Sequence, residues 1–415
     1  MSEAGFAERA EAAVREMRTL FGPTPCVRND FLSRRYGADI WLKREDLSPV
    51  RSYKIRGAFN AMRKAIASGA GSFVCASAGN HAQGVAFAAR HFGVPATIFM
   101  PVTTPGQKID KTKVFGADAI DVRLTGDYFD DTLAAAQAFV ADGEAHFLSP
   151  FDDADVIEGQ ASVALEILQQ MAGAPDIFVL PVGGGGLSSG MRRLLRDRAS
   201  GVRMILAEPA GGASLKAALV AGHPVSLDRV DTFVDGAAVA QIGALTFKIL
   251  EDVPLRDVVS VAEDRICTTI LEMLNHEGLV LEPAGALPVD ALKDIRDELR
   301  GKRVVVVTSG GNFDFERLPE VKERAQRAAG VKKYFILRMP QRPGALRDFL
   351  ELLGPNDDIA RFEYLKKSAR NFGTVLIGIE TDAPENFVRL ESALRDGGFT
   401  YQDITADETL AEFVI

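Results

Sequence analysis

The chain has 415 residues, 47% of them hydrophobic and 25% charged, which is enough for two or three folded domains with a large core. Its net charge of -9 has the wrong sign for non-specific binding to nucleic acid or an anionic membrane. Three widely spaced cysteines (Cys26, Cys75, Cys267) and five histidines without paired spacing point away from a disulfide framework and from a transition-metal centre.

The opening GFAERAEAAVREMRTL has apolar residues at helical spacing and stops at FGPTP. Its charged start lacks a signal-peptide core, and no later apolar run is long enough to cross a bilayer, so a cytoplasmic location is expected. ADIWLKRE reads as a strand. Strands and helices then alternate: SFVCAS (72–77), NHAQGVAFAARHF (80–92), ATIFMP, GQKIDKTKVFG, AIDVRL and DDTLAAAQAFVADG. After HFLSPF the pattern restarts with one long helix, VIEGQASVALEILQQM, the strand DIFVLPV (176–182), a Gly-rich turn and a helix. RMILAEP is a strand, ASLKAALVAG a helix, and RVVVVTSG (303–310) a buried parallel strand. This alternation predicts an α/β fold of two lobes with mainly parallel sheets, built from blocks at about 46–150 and 151–325.

Near residue 325 the character changes. ERAQRAAGVKK reads as a charged linker. YFILRMP, GALRDFLELLG, DIARFEYLKK, GTVLIGIET, APENFVRLESALRDGG and FTYQDIT then follow as strand, helix, strand, strand, helix, strand. That is the order of a ferredoxin-like βαββαβ unit.

Three segments follow strands, where open parallel sheets bind ligands. In PVGGGGLSSG (181–190), four glycines lead from a strand into a helix, a pattern that lets backbone N–H groups approach an anion. It lacks the Lys-Ser/Thr of a P-loop and the spacing of a dinucleotide fingerprint. In SAGNHAQG (77–84), Ser77, Asn80 and His81 cluster at a helix start that suits a carboxylate, and Asn80 can donate to a phenolic or carbonyl oxygen. In TSGGN (308–312), Ser309 offers a neutral hydroxyl to a ring nitrogen. A lysine added to these describes pyridoxal 5'-phosphate. Lys54, in RSYKIRGAFNAM, is the candidate; it is either a surface lysine or one whose pKa is lowered for Schiff-base chemistry.

Taken together, SYKIRGA, SAGNHAQG, GGGGL and SGGN resemble the fold-type II pyridoxal-phosphate enzymes, most closely the threonine dehydratases (threonine ammonia-lyases). TPC, WLKREDLSPVRSYK and EPAGA add to the match, which covers most of residues 1–320. The tail, through MPQRPGALRDFLELLG and DIARFEYLKK, resembles the single ACT-like domain of the shorter biosynthetic enzymes. The resemblance implies a catalytic domain over 1–325, its small lobe of about 46–150 inserted in the large lobe, and an ACT-like regulatory domain over 326–415. It also implies roles. Lys54 forms the Schiff base and Tyr53 flanks the ring. Asn80 donates to the phenolic oxygen. Gly183, Gly184, Gly185, Gly186 and Leu187 bind the phosphate, and Ser309 meets the ring nitrogen. Ser77, Asn80 and His81 hold the substrate carboxylate.

The implied reaction converts L-threonine, and L-serine as a second substrate, to a 2-oxo acid and ammonia by α-proton abstraction and loss of water. Isoleucine is the implied effector and a homotetramer the implied assembly. RFEYLKK and the QRPGAL turn are expected near the effector pocket, although the tail could instead serve only dimer contacts. Related serine racemases have a serine where this chain has Ala78, so racemisation should be weak. No metal site is assigned; Glu208 keeps only part of those enzymes' cation cluster. Glu282 either lies near the ring or is a helix-start carboxylate. A catabolic serine/threonine dehydratase and an amino-acid-sensing pseudoenzyme are the alternative readings.

Overall fold

The computed structural model describes residues 5–141, 143, 145–365 and 371–407. Its chain forms two units, the first ending at Phe315 and the second starting at Glu316. The first unit contains Cys26–Arg28 (β1), Asp39–Arg44 (β2), Phe73–Ala76 (β3), Ala96–Met100 (β4) and Ile120–Leu124 (β5). It continues with His146–Phe147 (β6), Ile177–Pro181 (β7), Arg203–Pro209 (β8), Val258–Val261 (β9) and Arg303–Thr308 (β10).

The larger sheet has the order β1-β2-β10-β7-β8-β9, parallel except for β1. At its middle, β10 carries four consecutive valines, all buried, as a strand paired on both edges and covered on both faces requires. The smaller sheet, β5-β4-β3-β6, is wholly parallel. Its strands fall in the chain between β2 and β7. The large sheet changes direction of winding between β7 and β10, which makes the carboxyl ends of those two strands the place where a crevice opens.

Arg56 ties the helix Lys54–Ala67 to the turn after β2 and to the helix Ser162–Gln170. Its guanidinium is shut off from water, donating to both oxygens of Glu45 and both oxygens of Glu166, each at 2.8 Å. Lys43, equally buried on β2, donates to Glu166 Oε2 at 2.7 Å. Burial alone would raise the Glu166 carboxyl, but Arg56 and Lys43 hold it well below the usual range.

Two expectations need correction. VIEGQASVALEILQQM is two helices, Ala154–Gln160 and Ser162–Gln170, rather than one. The break falls where the neighbouring helix comes closest, for a β-carbon on Gly190 would collide with Ile157 O and approach Ala161 N to 2.8 Å. The expected linker ERAQRAAGVKK is also structured: it begins within the helix Leu318–Ala328 and ends in the strand Lys332–Pro340. Val321 and Ala325, four residues apart, are buried together, and Glu323 pairs with Lys332, so these charges are partnered rather than merely solvated.

The second unit contains Lys332–Pro340 (β11), Asp358–Leu365 (β12), Phe372–Glu380 (β13) and Thr400–Asp403 (β14). Their order, β12-β13-β11-β14, is antiparallel throughout and ferredoxin-like. Phe349 and Phe387, from helices Ala345–Leu350 and Glu385–Asp396, pack with Phe335, Leu337, Val375 and Ile377 of the sheet. Lys366 and Lys367, the end of the RFEYLKK segment, lie outside the described residues.

Glu166→Ala would leave Arg56 and Lys43 buried with too little negative charge. It is expected to destabilise by about 3–5 kcal/mol. Glu8→Ala loses only an exposed partner of Arg198 and should stay within about 0.5 kcal/mol of wild type. Thermal melts of the two variants beside wild type check this.

Candidate active site

Lys54 is the first residue of its helix, just beyond the stretch that follows β2. Its ammonium donates to Pro150 O at 2.8 Å and lies 5.6 Å from the Tyr53 ring and 5.9 Å from the Phe151 ring. Burial lowers its pKa to about 8, with Glu282 partly opposing the shift. Lys54 is thus no solvated surface lysine; near neutral pH a fraction of it is the free amine. Tyr53 packs on the large-lobe core, where burial pushes its phenol up, and its N–H donates to Ser309 O at 3.1 Å.

The glycine loop leaves β7 and opens the helix Gly186–Arg198. No side chain caps this helix, so its first-turn N–H groups remain available to a ligand. Gly185 has φ +88°, a left-handed conformation suited to glycine. A β-carbon on Gly184 would collide with the Phe151 ring, and one on Gly183 would reach 3.0 Å from the Ala237 backbone. Phe151 therefore touches both the glycine loop and the surroundings of Lys54. Leu187 is buried behind the loop.

The helix Asn80–Phe92 follows β3 and also has no side-chain cap. Asn80 Nδ2 donates to Glu282 Oε1 at 2.7 Å, and Asn80 Oδ1 accepts from Asn312 Nδ2 at 2.7 Å. Ser77 Oγ accepts from Gly79 N at 3.3 Å. The His81 imidazole is buried and donates to Leu148 O at 3.0 Å. Burial, with the charge of Lys54, lowers its pKa to about 3, so this ring is neutral and already engaged. Its Nε2 is thus spent on that carbonyl, which leaves the His81 backbone N–H as a donor to a ligand. Ser309, after β10, is buried and donates to Ala284 O at 3.2 Å.

Glu282 precedes the helix Pro283–Asp290 without capping it. Instead its carboxyl meets Asn80 and accepts from Asn312 N at 3.3 Å. Burial and Asp235 raise its pKa to about 7, against the N–H donors and Lys108. Glu208 differs: both its oxygens are taken by Leu215 N and Lys216 N, at 2.6 and 2.9 Å. Among the described residues no group of three His, Cys, Asp or Glu side chains could hold a metal ion. Phe151 and Asn312 were not singled out from sequence, though Asn312 lay inside TSGGN.

Residues 17–310 match the family described as "Pyridoxal-phosphate dependent enzyme", and residues 323–414 match the "C-terminal regulatory domain of Threonine dehydratase". The biosynthetic L-threonine dehydratase of Bacillus subtilis is 47% identical over 94% of this chain and 93% of its own. The chain belongs to the biosynthetic threonine dehydratase family. Among solved structures, the processed form of threonine deaminase isoform 2 from Solanum lycopersicum is 34% identical with a TM-score of 0.72, over 78% of this chain and 88% of that one. Maize serine racemase is 26% identical with a TM-score of 0.70, over 76% and 96%. Members of this family use pyridoxal phosphate.

Gly184→Ala should weaken cofactor retention at least tenfold, because the new methyl group must displace the Phe151 ring beside Lys54; equilibrium titration of the variant with pyridoxal phosphate reads this. A second expectation concerns Glu282. The folded protein holds its proton up to about pH 7, against 4.5 for an ordinary glutamate. The stability this lends is complete below pH 4.5 and is lost as pH rises through 7. Glu282→Gln should therefore gain thermal midpoint on wild type across that interval and no further above it.

Proposed function

We propose that this chain deaminates L-threonine to 2-oxobutanoate and ammonia at a pyridoxal-phosphate site formed by Lys54, Tyr53, Asn80, Gly183–Leu187 and Ser309. The observation that carries the site assignment is the meeting at Phe151 of a half-buried lysine and an uncapped glycine loop. A cradle whose glycines leave no room for β-carbons, an amine of lowered pKa and a buried neutral hydroxyl all fit this cofactor's phosphate, aldehyde and ring nitrogen.

When bound, the cofactor delocalises the negative charge that develops at the substrate's α-carbon. The protein's part is binding and proton transfer. The hydroxyl of Ser77 and the first-turn N–H groups at Asn80 and His81 hold the carboxylate. Lys54 Nζ, as the free amine, takes the α-proton. Ser309 Oγ cannot keep a ring nitrogen protonated as an aspartate would, which favours prompt loss of the β-hydroxyl as water over longer-lived carbanion chemistry. The released enamine becomes an imine; water adds to it and ammonia leaves. Ala78 has no proton to give, so the serine racemase reading is disfavoured despite the shared fold.

For the second unit we propose feedback control by isoleucine, with the enzyme working as a cytoplasmic tetramer. The ferredoxin-like sheet and the regulatory-domain match support a binding role for this unit. An effector acts by favouring the state that binds substrate less well.

Wild type should show a visible absorbance band with pyridoxal phosphate and release keto acid from threonine. Lys54→Ala should lack the band and lose at least about a thousandfold in rate. A colourless, inert wild type would sink the assignment. Isoleucine should move the threonine saturation curve to higher concentration; an unmoved curve would remove isoleucine as effector.

A further inference from the structure

Asn312 sits at the centre of a closed set of hydrogen bonds that the reaction as described does not use. Its Nδ2 donates to Val50 O at 2.8 Å and to Asn80 Oδ1 at 2.7 Å, while its Oδ1 accepts from Lys111 Nζ at 2.7 Å. Both amide hydrogens and the amide oxygen are thereby committed. Turning the amide over would set its oxygen against two acceptors and its nitrogen against an ammonium, so one orientation is enforced. The backbone N–H of Asn312 donates to Glu282 Oε2, and Glu282 Oε1 accepts from Asn80 Nδ2.

The consequence falls on Asn80. Its oxygen is fixed by Asn312 and one of its two N–H groups by Glu282, which leaves a single N–H in a fixed direction. Lys111 reaches this set from the helix Gly106–Gly116, which follows β4 of the smaller sheet. Gly310 is a glycine of necessity here, because a β-carbon would collide with Glu282 Oε1.

We infer that Asn312 is a positioning residue, which holds the Asn80 amide so that its one remaining N–H is presented to the phenolic oxygen of the cofactor. This rests on the proposed assignment of Asn80 to that oxygen. A phenolate that accepts this hydrogen bond is stabilised as the anion, so the bond is felt in the cofactor's own titration as well as in turnover.

The test uses the holoenzyme and four variants: Asn312→Asp, which keeps the shape but removes both side-chain donors; Asn312→Ser, small and neutral; Asn80→Ala; and Asn312→Asp combined with Asn80→Ala. The readouts are the pH midpoint of the visible band and the rate of cofactor release into excess apo-acceptor protein. Asn312→Asp and Asn312→Ser should each shift the midpoint by about half a unit or more and speed release about tenfold, the scale of one lost hydrogen bond. In the Asn80→Ala background the Asn312→Asp change should add little. A lowered thermal midpoint with an unaltered band and release rate would make Asn312 merely structural and overturn the inference. So would an effect of Asn312→Asp that persists at full size without Asn80. An Asn80→Ala protein whose band titrates like wild type would overturn the assignment of Asn80, and the inference with it.

Discussion

The guanidinium of Arg56, closed off from water and shared between Glu45 and Glu166, anchors the helix that begins with Lys54. A buried charge of this kind is tolerated only when every donor is satisfied, so the start of the helix has one seat, against Glu45 and the helix Ser162–Gln170. Two residues earlier the lysine inherits that rigidity. Its backbone is further confined by Gly84, whose absent side chain lets the helix Asn80–Phe92 come within about a van der Waals contact of Ile55 N. The Lys54 amine is thus held by its backbone while its own side chain stays lightly bonded, to one carbonyl.

The electrostatics around it follow from the same burial. Low polarity lowers the lysine, lowers His81 and raises Glu282, in each case favouring the uncharged form. The Lys54 charge also disfavours a second cation on His81, whereas Glu282 as a carboxylate attracts the lysine. The two glutamates noted in the sequence part company here. Glu208 spends both oxygens on the start of the helix Ser214–Ala221, whereas Glu282 meets Asn80 and Asn312.

Much of this was legible in the sequence because the chemistry is local. GGGGL, SAGNHAQG and SGGN each place backbone groups at a strand end, and glycine in such places admits few other uses. The valines of β10 announced a buried parallel strand in the same way. What could not be read depends on partners far along the chain: Arg56 with Glu166, Asn80 with Glu282, Lys111 with Asn312. A charged residue looks alike whether it is solvated or paired in the interior. The same blindness turned the second half of the Leu318–Ala328 helix into a supposed linker, because its charged residues outweighed the buried Ala325. Residue type was equally silent on His81, whose imidazole Nε2 is engaged with Leu148 O.

The strand order has a consequence for how the chain reaches this state. β10 pairs with β2 on one edge and β7 on the other, and it is the last strand of the larger sheet to be synthesised. Until residue 308 has emerged, β1–β2 and β7–β8–β9 are separate pieces, each with an open edge turned toward the missing centre. The smaller sheet, contiguous from residue 73 to 147, suffers no such wait. All of the smaller sheet thus precedes the strand that joins the two halves of the larger one, and until then those open edges are the ones exposed to wrong pairing. Ser309 and Asn312 follow that strand directly, so the segment that completes the sheet also supplies both of these residues.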